Sequence, residues 1–82
     1  MKYTVVWHRT AENKLADIWN QAADRAAVTR AANQIDQELC DSPETKGRGL
    51  RDNRFFLAKP LAVIYAVHPD DCKVEVLQVW RW

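Results

Sequence analysis

Apolar positions follow two rhythms along the 82-residue chain. Residues 3–7 (Tyr3, Thr4, Val5, Val6, Trp7) are β-branched and aromatic. They predict a first strand with Tyr3, Val5 and Trp7 on one face. After Thr10 the spacing changes. Ala11, Leu15, Ile18, Trp19 and Ala22 recur three and four apart, as on one face of a helix ending near Ala23. Thr10 is the expected N-cap, and Glu12 sits favourably near the positive end of the helix dipole. Val28, Ala31, Ala32, Ile35 and Leu39 repeat the pattern in a second helix, with Asp24 as its expected cap. Asp41, Ser42 and Pro43 stop it, because the residue before a proline is pushed out of the helical region. The link between the helices is very short, so they should form an antiparallel hairpin. Ala22, Ala23, Ala26, Ala27, Ala31 and Ala32 let the two helices approach closely.

The second half returns to strand spacing. Residues 44–52 hold both glycines, Gly47 and Gly49, amid charges, and read as a loop. Residues 54–58 predict a second strand, and Lys59 and Pro60 a turn. Leu61, Ala62, Val63, Ile64, Tyr65, Ala66 and Val67 form an uncharged run too short for a typical helix, with breakers on both sides. Such a run belongs in the middle of a sheet, covered on each face. After the turn at Pro69, Asp70 and Asp71, residues 73–80 predict the last strand. In regular alternation Val74 and Val76 face one way, with Leu77 and Val79 the other. The predicted fold class is α+β in the order β-α-α-β-β-β: a helical hairpin on a small, mostly antiparallel four-stranded sheet. Residues 1–82 make a single domain.

Composition changes this picture in three places. Four tryptophans (Trp7, Trp19, Trp80, Trp82) are available to pack a domain that buries only roughly 60% of its unfolded surface. Cys40 and Cys72 lack metal spacing and read as reduced thiols of a cytoplasmic protein. No signal peptide or transmembrane run is evident. Net charge is +1, but it is unevenly spread. Residues 46–59 carry Lys46, Arg48, Arg51, Arg54 and Lys59 against Asp52 alone. A basic connector suggests an anionic partner, although a solvated loop explains the same charges.

The chemistry is narrowed mainly by what the pattern lacks. His8 and His68 have no ligands at metal spacing, and Gly47, Arg48 and Gly49 lack the strand and helix of a phosphate loop. Ser42 is the only serine and precedes a proline, and acidic neighbours of Cys40 disfavour a thiolate. No cofactor is implied. Arginines and lysines near the sheet remain, together with aromatics near its end. Cationic side chains can orient a phosphodiester and stabilise charge during metal-free RNA cleavage. Trp80, Arg81 and Trp82 could supply stacking and a phosphate contact, with core packing as the rival role for Trp80.

The order of these pieces resembles the RelE/ParE superfamily of bacterial type II toxins. The resemblance is carried by Val6 and Trp7; Ala11, Leu15, Ala16, Asp17 and Ile18; Leu39 through Pro43; Gly49, Leu50 and Arg51; Val63, Ile64 and Tyr65; and Val74 through Val79. It implies a toxin held inactive by a cognate antitoxin that wraps grooves and edges of the fold, in a toxin–antitoxin hetero-oligomer. RelE-like members cut mRNA on the ribosome with basic residues on the second strand, the central strand and the C-terminal end. This chain departs from that set. Ala62 stands at or beside the central-strand arginine, Phe55, Phe56 and Leu57 replace expected lysines, and no tyrosine follows Trp82. ParE-like members act on DNA gyrase and do not need those residues, so that branch, or an unassigned one, fits somewhat better.

The expected site has Arg54 and Arg81 as catalytic candidates, facing each other across the sheet. Arg48, Arg51, Lys59 and Trp82 are its candidates for target or RNA contact. Two other functions compete with a toxin: a non-toxic binding module of the same fold, and a metal-independent ribonuclease.

Overall fold

The computed structural model describes residues 2–43, 48–50 and 53–82. Strand β1 (Thr4–Trp7) leads into helices α1 (Arg9–Gln21) and α2 (Arg25–Asp41). Four strands follow: β2 (Arg48–Leu50), β3 (Asn53–Ala58), β4 (Leu61–His68) and β5 (Lys73–Arg81). They form one sheet in the order β1-β5-β4-β3-β2. β1 runs parallel to β5, and every other pair is antiparallel. The sheet thus has five strands, not the expected four. The extra strand, β2, lies in the stretch read as a loop. Three residues with a glycine between them are too short to show alternation.

The helical hairpin is held by side chains the spacing did not assign. His8, not Thr10, caps α1: its Nδ1 accepts from the Thr10 amide at 3.3 Å. At the other end of α1, Arg25 donates to the Trp19 and Asn20 carbonyls at 3.1 and 2.9 Å. These bonds satisfy carbonyls that the helix terminus leaves open. The Arg25 guanidinium also lies 4.9 Å over the Trp19 ring. Asp24 occupies the N-cap position of α2 but makes no side-chain capping bond. Its carboxylate instead accepts from Arg81 at 2.7 Å, tying the inter-helix turn to the end of β5.

The core lies between this hairpin and one face of the sheet. Leu61, Val63 and Tyr65 of β4 and Val74, Val76 and Val79 of β5 are buried there. Ala11 and Ile18 from α1 and Val28, Ala31, Ile35 and Leu39 from α2 complete it. Val79 was expected to face away from Val74 and Val76. A bulge explains the difference. Ile64 pairs with Gln78 and Tyr65 with Val76, so Leu77 has no partner on β4. One extra residue reverses the alternation and returns Val79 to the core side. At the other end of the core, the Tyr65 hydroxyl donates to the Pro43 carbonyl at 2.7 Å. Burial pushes the Tyr65 phenol above its ordinary pKa, and Arg54 acts in the opposite direction.

Candidate functional site

The helices cover one face of the sheet only, and among the described residues no other element covers the opposite face. Strand alternation decides which residues it carries. Tyr65, Val63 and Leu61 point to the helices, which leaves Ala62, Ile64 and Ala66 of β4 on the open side. Phe55 pairs with Ile64 and Leu57 with Ala62. Gln78 and Trp80 pair with the same two residues from β5. Arg48 of β2 pairs with Phe55 and joins this face at its margin. The open face therefore has an apolar end bearing Phe55, Leu57, Ile64, Trp80 and Trp82. Lys73, His68 and Glu75 lie at its other, polar end, with His68 and Glu75 3.5 Å apart.

The aromatic end is a packed group. The Phe55 ring lies 5.8 Å from Trp80 and 6.1 Å, edge-on, from Trp82. Ala62, at or beside the position where the resemblance expects a central-strand arginine, is fully buried on this face between its cross-strand neighbours Leu57 and Trp80. Trp82 remains 62% exposed, although its backbone N–H donates a hydrogen bond to the Pro60 carbonyl at 2.8 Å. The expectation that most tryptophans pack holds for half of them. Trp7 and Trp80 are half-buried, whereas Trp82 and Trp19 are exposed, the latter at 42%. Trp80 is outside the helix-side core.

The six candidate residues do not form one cluster. Arg81 is the last residue of β5, not a residue beyond it. It alternates with Trp80 and Trp82, pairs with Leu61, and its side chain goes to the helix side to meet Asp24. Arg54 is also on the helix side, paired with Tyr65 and close to its phenol. Arg54 and Arg81 do not face each other. Their partners on β4 are four residues apart, about 13 Å, and they stand two strand spacings apart, about 10 Å. Arg48 and Trp82 share the open face. Lys59 is exposed in the β3–β4 turn. Arg51 lies outside the described residues.

The Asp24–Arg81 pair is partly exposed. The hydrogen bond from Arg81 holds the Asp24 carboxyl below its ordinary pKa, against a smaller opposing effect of desolvation. Among the described residues no three His, Cys, Asp or Glu side chains converge as a metal site. No described helix is long and apolar enough to cross a membrane. The aromatic group had a sequence signal in Phe55, Trp80 and Trp82. Their meeting depends on the β3–β4–β5 register, which the sequence pattern does not specify.

No family model matches the sequence, and no curated protein sequence matches it. Solved structures do match over nearly the whole chain. A chain of the RelBE2 toxin–antitoxin complex from Mycobacterium tuberculosis superposes with a TM-score of 0.84 at 17% identity, covering 100% of this chain and 93% of that one. A chain of the chromosomal ParDE system from P. aeruginosa gives 0.67 at 15% identity, with 98% and 96% covered. The isolated RelE toxin from E. coli gives 0.65 at 18% identity, with 96% and 83% covered. The chain has the fold of the RelE/ParE toxins.

Proposed function

We propose that this chain is the toxin of a type II toxin–antitoxin system, acting in the bacterial cytoplasm and neutralised by a cognate antitoxin. The observation that carries the reading is the end-to-end match to a chain of a toxin–antitoxin complex, with almost nothing left over in either chain. The toxin inhibits growth by binding a macromolecular target through the open sheet face, with Phe55, Trp80 and Trp82 as anchors and Arg48 at the margin. DNA gyrase is the first target to test and the translating ribosome the second. An aromatic cluster beside a cation is the composition of a binding hot spot. The separation of Arg54 from Arg81 weighs against one phosphodiester held by both, and so against the ribonuclease reading.

The test is induced expression with and without the antitoxin, followed by gyrase supercoiling and cell-free translation assays on purified protein, with mRNA ends mapped. Growth arrest reversed by the antitoxin, with inhibition in one assay, supports the reading. Cleaved mRNA that appears only with active ribosomes would assign RelE-like nuclease activity instead. A second reading, a non-toxic binding module, is favoured by the uncharged, buried Ala62 beside Trp80 on the open face. Harmless accumulation of folded protein without any antitoxin would establish it over the first.

A further inference from the structure

The polar end of the open face holds a contact that neither packing nor hydrogen bonding accounts for. His68 closes β4 and Glu75 stands near the start of β5, so the two come from paired strands of one hairpin. His68 pairs with Lys73 and Ala66 with Glu75, which sets the imidazole diagonally across from the carboxylate. His68 Nε2 lies 3.5 Å from Glu75 Oε1. A hydrogen bond from a charged nitrogen to a carboxylate is shorter, at about 2.7–2.9 Å. Nε2 is nonetheless buried, and no described residue hydrogen-bonds to it. An ion is one of the few partners that explain a buried nitrogen of this kind.

The separation suits a metal better than a proton. An imidazole nitrogen and a carboxylate oxygen bind zinc at roughly 2.0–2.2 Å. One ion touching both atoms at 3.5 Å has its two bonds at an angle of about 115°, close to the tetrahedral value of about 109°. Neither side chain has to move. Both are partly exposed, so water can complete the coordination. Val6 and Ala66, which flank Glu75 in the neighbouring strands, bring no competing cation. Lys73, beside His68, opposes the ion with a like charge. A nitrogen and oxygen donor set that includes imidazole selects transition ions over magnesium and calcium. Sequence spacing does not show the pair, because the second ligand reaches across the hairpin.

We propose that His68 and Glu75 bind one divalent transition-metal ion, with zinc the first to test, at the polar end of the open face. The chain supplies two ligands and water the others, so the ion is exchangeable and is not a closed structural centre. Bound there, it makes this end cationic, at the far end of the face from Phe55, Trp80 and Trp82. The inference does not depend on the toxin reading.

The test is titration of the labelled full chain with zinc chloride, followed by NMR at the histidine rings and the Glu75 carboxylate, with thermal melts alongside. Saturable shifts should centre on His68 and Glu75, with His8 unmoved, and zinc should raise the melting temperature. His68→Gln and Glu75→Gln, shown to be folded by circular dichroism, should each weaken binding at least about tenfold. Lys73→Gln should tighten it about threefold, a gain that a misfolded variant does not produce. Binding that is unchanged in both Gln variants of the pair puts the ion elsewhere, at Cys40, Cys72 or His8, and overturns the proposal. So does zinc that moves neither His68 nor Glu75, which leaves the two as an ordinary ion pair.

Discussion

Trp82→Ala separates a binding surface from a folding element on the open face. The residue is 62% exposed, so the folded chain covers little more than a third of it. A fully packed tryptophan buries roughly 150–250 Å². The covered part is therefore roughly 80 Å², worth at most about 2 kcal/mol at about 25 cal/mol per Å². The exposed remainder, roughly 150 Å², is what a target would cover. Aromatic anchors at the centre of interfaces commonly cost about 2 kcal/mol or more when truncated. At about 1.4 kcal/mol per decade, that is roughly a 30-fold loss of affinity. The assay is the half-inhibitory concentration of purified protein in whichever reaction the parent chain inhibits, gyrase supercoiling or translation. Circular dichroism and a thermal melt establish that the variant is folded. Trp19→Ala is the control, since Trp19 is also exposed but stands on the helical hairpin. Its half-inhibitory concentration should stay within about threefold of the parent. If Trp82→Ala inhibits as well as the parent chain, or Trp19→Ala loses as much, the open face is not the contact surface.

Three further outcomes follow from the same geometry. Tyr65→Phe removes the bond to the buried Pro43 carbonyl and leaves that oxygen unsatisfied, so stability should fall by about 1–2 kcal/mol and the melting temperature by roughly 5–12 °C; an unchanged melt would mean that the bond does not hold the end of α2. The Asp24 carboxyl should titrate below the ordinary range of an aspartate in the parent and return close to that range in Arg81→Ala, read by carboxyl NMR shifts. Because its folded pKa is depressed, its stabilising contribution is present above the unfolded pKa and is lost as pH falls through the folded one. The double variant Arg54→Ala, Arg81→Ala tests whether the two arginines act on a target: toxicity kept by a folded double variant would leave them structural roles beside Tyr65 and Asp24, and relief of toxicity without unfolding would restore them to the site.

The parts of the fold that were legible in the chain are those with a long period. Ala11 to Ala22 and Val28 to Leu39 repeat often enough to define two helical faces, and the uncharged run from Leu61 defines the central strand wherever its neighbours lie. The misreadings come from short or single-residue events. β2 is too brief to alternate. The bulge at Leu77 adds one residue, enough to transfer Val79 from one face to the other. His8 caps α1 through a ring nitrogen, so Thr10 took the expectation by its residue type alone. The expectation that Arg54 and Arg81 face each other missed for the same reason. Arg54 and Arg81 were grouped because both flank strands, but a face is decided by parity within each strand and position by register between strands. Neither quantity is written in a list of basic residues.

That distinction bears on what this version of the fold can do. A phosphate-handling site needs several cations to converge on one point. Among the described residues the cations named as candidates are dispersed: Arg81 is tied to Asp24, Arg54 lies beside Tyr65 on the helix side, and Arg48 stands at the margin of the opposite face. What does converge is aromatic. Phe55, Trp80 and Trp82 come from β3, the end of β5 and the residue after it, and they meet because β4 sets both registers. Ala62 is part of that arrangement, since a longer side chain at a fully buried position would have to displace its cross-strand neighbours Trp80 and Leu57. The small buried residue at position 62 and the aromatic cluster are thus parts of one arrangement. Ala62→Arg should therefore disrupt the aromatic group and lower stability by about 1–3 kcal/mol without creating cleavage activity. A stable Ala62→Arg variant that acquired ribosome-dependent mRNA cleavage would show instead that the cluster is a replaceable filling over a latent nuclease site.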